Sequence, residues 1–486
     1  MILQKIIGSV AALEMAPDTT ARSSISLALG HYSRAKGGND RAAADLLTLQ
    51  QDQADWRANA AAELLLFCLV QGTEHGLPDE FIDVARSALP AVLLTESPER
   101  KAYIRRAVLR LLPKASLHDH LDGGVRPRTI LELALAQRVD LRAKIPELPE
   151  RYTLADIERF AVRGEGAGEG DFLSFLIQRF ALPLAVMQTE AGLERTAFEL
   201  VEQAYLDGVI HLEARFAPVI HKERHLTYDA IVDAVISGLL RGEERFGVTT
   251  SLILCFYRNL ERDFPGHFRA TALAAKYAQV YHRDRIGIGI DLAGKEDGYP
   301  PERAEDAYRL TFDTGVFRTV HAGEMPGTVA NIENAVRLLR PHRIGHGNRL
   351  VEVLDRAEER QRLRELLDKV TLEMCSTSNV QLLCSDGTIA DHPLLRLHRA
   401  GFKVTMNPDN RTISGTSVTE EFFRAVSLIG VPLAGERGLS SELREMTQQA
   451  FSAAFIRGSR RDSLLKRMIH DLANIDEIID ILRPYI

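Results

Sequence analysis

The stretch ASLHDHLDGG at residues 115–124 runs from small and apolar residues into His118, Asp119 and His120, then ends on Asp122 and two glycines. Seven later stretches have the same form, an apolar run with polar residues at its end. They are GVIHLEARFAP (208–218), VTTSLILCFYR (248–258), RIGIGIDLAG (285–294), VFRTVHAGE (316–324), HRIGHGNRL (342–350), KVTLEMCSTSN (369–379) and GFKVTMNPDN (401–410). Helical stretches separate them. Eight strand units alternating with helices predict a TIM-type (β/α)8 barrel, because parallel strands buried on both faces read as nearly continuous apolar runs. A doubly wound open sheet is the rival architecture. The position of the polar residues favours the barrel, whose eight strand ends open on one face and so bring residues far apart in sequence into one pocket.

Ahead of this pattern, residues 1–112 are rich in Ala and Leu at helical spacing, as in AAADLLTLQQDQADW and RANAAAELLLFCLVQG, with Gly and Pro punctuation between the runs. They predict an α-helical N-terminal domain of three to five helices, its single Trp56 a packing residue. The barrel with its C-terminal helices is expected over residues 113–486. The length of 486 residues accommodates one large domain and an appendage.

The 60 basic against 67 acidic residues leave a formal charge of −7, which argues against a nucleic-acid or anionic-membrane partner bound by bulk charge. Four scattered cysteines, Cys68, Cys255, Cys375 and Cys384, form no C-x-x-C pair and fit a reducing cytoplasm. The N-terminal apolar run is cut by Glu14 and reads as the start of an amphipathic helix rather than a signal peptide. No apolar stretch reaches the roughly 18 residues that span a bilayer.

The chemistry lies at the strand ends. On a strand, side chains two apart share a side, so His118 and His120 can present two imidazoles to one ion. With His321 at the fifth strand end and Asp409 at the eighth they would suit a borderline-soft divalent cation, zinc before others. Zinc generates a hydroxide nucleophile at neutral pH. Attack by hydroxide on an electron-poor aromatic carbon further needs an acid, for which Glu324 stands three residues beyond His321, and an orienting base, for which His346 stands between two glycines.

From about Pro113 to Ile429 the chain resembles the adenosine deaminase family, in the collinear stretches SLHDHLDGG, HLEARFAP, GIDLAGKE, TVHAGE, RIGHG, LEMCSTSNVQL and VTMNPDNRTISGTS. The resemblance implies zinc-dependent hydrolysis of adenosine and 2′-deoxyadenosine to inosine and 2′-deoxyinosine with release of ammonia, one Zn2+ per chain. His118, His120, His321 and Asp409 correspond to the zinc ligands, and Glu324 to the acid that protonates ring nitrogen one. His346 corresponds to the residue that orients the attacking hydroxide and stabilises the resulting charge. Gly294 corresponds to the backbone N–H that meets ring nitrogen three, and Asp122 to the carboxylate that holds the ribose hydroxyl. Asn410 stands where animal relatives have a second aspartate facing ring nitrogen seven; an amide can still donate there. Relatives acting on free adenine tend to have Glu at the place of Asp122, and those acting on N6-methylated nucleotides tend to have Asn.

Two other readings are weighed beside this one: a deaminase of another aminopurine, such as adenine or aminodeoxyfutalosine, and a barrel without turnover serving as a binding protein. The complete set of ligand, acid and orienting residues argues against the last. Self-association through residues 1–112 is a further expectation. Three segments receive plainer readings. GEGAGEG (164–170) is a loop, RGSRRDSLLKR (457–467) a solvated helix face, and the Gly287 and Gly289 pair is too incomplete for a dinucleotide fingerprint. Phe172 and Phe175 are candidates for an apolar wall beside the substrate.

Overall fold

A computed structural model describes residues 98–162, 172–325, 327–382, 387–483 and 486. The helices expected before residue 98, Trp56, Cys68, Cys384 and the glycine-rich loop at 164–170 lie outside these residues, as do the side chains of Phe172 and Phe175. By contact the chain forms two compact units. The described part of one comprises 98–112, 434–440, 469–483 and 486, beginning with the helix Pro98–Leu111. The other comprises 113–433 and 441–468.

The second unit holds all eight expected strands: β1 Lys114–His120, β2 Val209–Phe216, β3 Thr249–Tyr257, β4 Gly287–Ala293, β5 Phe317–Ala322, β6 Arg343–His346, β7 Thr371–Met374 and β8 Lys403–Met406. They pair in sequence order and every pair is parallel, the TIM-type barrel expected from the alternation. Helices such as Glu190–Leu206 and Tyr228–Phe246 separate the strands, and both begin on a threonine whose hydroxyl caps the first turn.

The ring closes between β1 and β8 by an unusual device. The only bridge there joins Asp119 to Asp409, with His120 N–H donating to the Asp409 carbonyl at 2.7 Å and Asp409 N–H to the His118 carbonyl at 3.1 Å. Below it, the Asn407 side-chain oxygen accepts the backbone N–H groups of Leu117 and His118 at 2.9 and 3.2 Å. A side-chain amide thus satisfies donors that a longer ladder would have paired. Barrel closure and two site residues, His118 and Asp409, share the same few hydrogen bonds.

The opposite mouth is stopped by the segment after the helix Ser441–Ala453. Phe455 enters the bottom of the barrel, its carbonyl accepting from Ser251 Oγ at 2.9 Å and its ring stacked on Phe317 at 4.6 Å between centroids. A Cβ on Gly287 would overlap that carbonyl oxygen, and one on Gly289 would lie 2.9 Å from the Phe455 ring. The Gly287-Ile288-Gly289 run is therefore a seat for Phe455 rather than for a phosphate.

Candidate active site

The upper ends of β1, β5, β6 and β8 bring together the residues that the sequence had spread over nearly 300 positions. His118 Nε2 lies 3.3 Å from Asp409 Oδ1, His120 Nε2 3.4 Å from the same oxygen, and His120 Nε2 3.4 Å from His321 Nε2. An ion bound tetrahedrally at about 2.0–2.1 Å by N and O donors has ligands about 3.3 Å apart, so these separations fit one small divalent cation. No ion is needed to see the demand for one: His118 Nε2 is buried without a hydrogen-bond partner.

The far sides of the imidazoles explain which way the lone pairs point. His118 Nδ1 meets Glu373 Oε2 at 3.0 Å, and His321 Nδ1 meets Asp291 at 2.9 Å. Burial opposes ionisation of both carboxyls, yet Arg215 and Arg343 at Glu373, and His321 and Arg215 at Asp291, outweigh it and hold both below the usual carboxylate range. Ionised carboxylates only accept, so each Nδ1 carries the proton and each Nε2 offers its lone pair to the centre. Burial keeps His120 and His346 neutral; for His120 this prevails over the attraction of Asp409. A metal ligand must be in that neutral form.

Backbone conformation supports the same focus. His346 and Asp409 have φ of 63° and 61°, the left-handed region that non-glycine residues rarely occupy. Such conformations persist only where surrounding contacts over-determine them, and here both fall on the site. Ser378 Oγ donates to Asp409 Oδ2 at 2.6 Å, leaving Oδ1 to face the histidines.

Glu324 and His346 form the rim, with Glu324 Oε1 3.6 Å from His346 Nε2. Glu296, on the loop after β4, accepts the N–H groups of Gly323 and Glu324 at 2.9 and 3.1 Å and the Asn331 amide at 3.0 Å. It clamps the backbone from which the Glu324 carboxyl projects. Asp122 is buried just beyond β1 and its Oδ1 accepts the Gly123 N–H at 3.2 Å. Burial pushes its carboxyl up to about 7, against its backbone hydrogen bonds. A Cβ on Gly123 would overlap the Asn410 side chain, so this glycine admits Asn410 beside Asp122. Asn410 Oδ1 is itself buried without a hydrogen-bond partner. Gly294 follows β4 against Tyr257, whose hydroxyl is pushed up by burial and then by the charge of Asp122.

Sequence reasoning passed over Glu373, Glu296 and His392, whose Nε2 lies 3.2 Å from Asn379 Oδ1 behind the site. For Glu373 a signal existed: a lone carboxylate inside the buried run TLEM has to be partnered. Glu296 and His392 sit in loops, where a buried polar residue looks like any solvated one.

The family model described as adenosine deaminase matches residues 113–471. An adenosine deaminase from Mycobacterium sp. (strain KMS) is 36% identical over 365 residues, covering 74% of this chain and 94% of the relative. One from Mycobacteroides abscessus is 36% identical over 375 residues, covering 76% and 94%. Among solved structures, an adenine deaminase from Arthrobacter aurescens is 28% identical with a TM-score of 0.59, covering 74% of this chain and 98% of that one. The same fold occurs, at 22% identity and a TM-score of 0.63, in an amidohydrolase from Burkholderia ambifaria with bound zinc, covering 78% and 95%.

Proposed function

Since the chain belongs to the adenosine deaminase family and is a hydrolytic deaminase, we propose that it converts adenosine and 2′-deoxyadenosine to inosine and 2′-deoxyinosine, releasing ammonia, with one zinc ion per chain. The observation that carries the reading is the approach of His118 Nε2 and His120 Nε2 to Asp409 Oδ1 within 3.3 and 3.4 Å and of His120 Nε2 to His321 Nε2 within 3.4 Å, with Glu324 and His346 on the rim. These four residues would hold the ion, which supplies hydroxide at neutral pH when bound.

The chain's own residues do the rest. Glu324 protonates ring nitrogen one as the oxygen adds to carbon six, which makes that carbon electrophilic; the proton on the added oxygen then passes to the amino nitrogen, which leaves as ammonia as the carbon–oxygen double bond forms. His346 faces the incoming oxygen. The Gly294 N–H and the Asn410 amide hold the purine edge, and Asp122 accepts from a ribose hydroxyl. Glu296 keeps the Glu324 backbone fixed, so that the carboxyl need not be ordered at the moment of reaction.

Asp122 supports a free nucleoside over the alternatives. Only backbone N–H groups reach its buried carboxyl among the hydrogen bonds described, so an incoming 5′-phosphate would meet a negative or proton-bearing group with no cation to offset it. No helix among the described residues is long and apolar enough to cross a membrane, and the described cysteines, Cys255 and Cys375, are free, which suits the reducing cytoplasm we assign to it.

The test is an ammonia-release assay on adenosine, 2′-deoxyadenosine, adenine and AMP, run beside elemental analysis. Turnover of both nucleosides, lost on chelation and restored by zinc, is expected. Activity on adenine but not adenosine would remove Asp122 from the ribose, and folded protein that neither carries nor takes up a transition metal would remove the ligand assignment.

A further inference from the structure

The His346 ring is held from behind by a chain of hydrogen bonds with only one consistent direction. The Leu394 backbone N–H points at His392 Nδ1 at 3.4 Å, and Ser376 Oγ lies 3.2 Å from the same nitrogen. A backbone N–H can only donate, so His392 Nδ1 is an acceptor and the single proton of the neutral ring is on Nε2. Burial holds His392 down at about 3, so the ring has one proton at any working pH. His392 Nε2 faces Asn379 Oδ1 at 3.2 Å and donates to it. That fixes the amide, whose Nδ2 then donates to His346 Nδ1 at 3.0 Å. Rotating the Asn379 amide would set its N–H group against the N–H of His392 Nε2. All of these groups are buried, so water cannot absorb such a mismatch.

We propose that Asn379 and His392 are positioning residues that place the His346 proton on Nε2, making His346 a hydrogen-bond donor to the oxygen that attacks the purine rather than the group that takes a proton from it. The proposal rests on the reading of His346 as facing that oxygen. Its consequence is electrostatic: a fixed N–H aimed at developing negative charge stabilises the transition state without reorganising. The strained left-handed backbone at His346 keeps the ring in line with Asn379 on one side and Glu324 on the other.

Asn379→Asp tests the direction of the chain, because a carboxylate has nearly the same shape but only accepts. It would still take the His392 proton and would force a proton onto His346 Nδ1. We expect kcat for adenosine to fall on the order of 10²-fold, the scale of losing one preorganised donor, with KM and zinc content little changed. In nitrogen-15 spectra of histidine-labelled protein, assigned against His346→Gln, His346 Nδ1 should move from the unprotonated to the protonated range. Unchanged kcat with Nδ1 still unprotonated would overturn the proposal. His392→Gln and His392→Leu guard against a merely structural loss: glutamine can still donate to Asn379 and should recover most of the turnover that leucine loses. Equal losses in both would mean packing and would also overturn it. The nitrogen shifts are read without substrate, so a protein inactive on adenosine would refute the substrate and leave the proton placement to be decided by the spectra.

Discussion

Glu373 Oε2 lies 3.0 Å from His118 Nδ1, while Arg215 and Arg343 bond the same carboxylate at 2.7 and 2.5 Å. None of the four is exposed to solvent. Arg343 continues to Glu213, whose Oε1 accepts the Phe455 N–H, so one ionic network runs from the plugged mouth of the barrel to the imidazole at the opposite end. Buried ion pairs of this kind are weak evidence for stability, but removing one partner strands the others in low dielectric.

Glu373→Gln should therefore act on both metal and fold. The neutral amide is a weaker acceptor for the His118 N–H and leaves Arg215 and Arg343 without their counter-charge, so zinc affinity is expected to fall about 10- to 100-fold, and unfolding free energy by about 3 kcal/mol or more. Competition with a chromophoric chelator and urea denaturation read the two effects. An unaltered zinc affinity would show that His118 is oriented by something else.

Glu324→Gln should leave the four donors untouched and bind zinc as the native protein does, yet lose about 10²- to 10⁴-fold in turnover, the span of a general acid. Near-native rates in a zinc-loaded variant would take the proton transfer away from Glu324.

Gly287→Ala places a methyl group into the Phe455 carbonyl, a backbone atom that cannot swing aside. Overpacking of this sort costs about 1–3 kcal/mol. The urea midpoint should drop while the folded enzyme keeps its turnover, because the plug is at the end of the barrel away from the site. A midpoint equal to the native one would deny that the glycine is needed to seat Phe455.

His221 gives a pH dependence whose sign can be worked out. Burial depresses its pKa to about 4, although its bond to the Met187 carbonyl works in the opposite direction. Between about 6.5 and 4 the unfolded chain therefore binds a proton that the folded one does not. Stability due to this group is complete above about 6.5 and is lost as pH falls towards 4, at up to about 1.4 kcal/mol per pH unit. His221→Phe removes the titration, so the gap between variant and native protein in denaturation series at pH 7, 6 and 5 should shift in favour of the variant as pH falls. A constant gap would mean that His221 titrates normally.

Much of this protein could be read directly from its residues. The eight apolar runs ending in polar residues pointed to parallel strands with a common functional face, since strands buried on both faces read as apolar runs and the strand ends of a barrel open on one side. The pair His118 and His120, the HAGE run and Asp409 were legible because those side chains are costly in apolar runs unless they bind something. Three things depended on the three-dimensional arrangement. The closure of β1 on β8 through Asn407, the seat that Gly287 and Gly289 make for Phe455, and the proton direction passed from Leu394 through His392 and Asn379 to His346 each join segments with no local relationship in the chain. A hydrogen bond's direction is set by whichever group faces it across space, and no spacing along one strand carries that information.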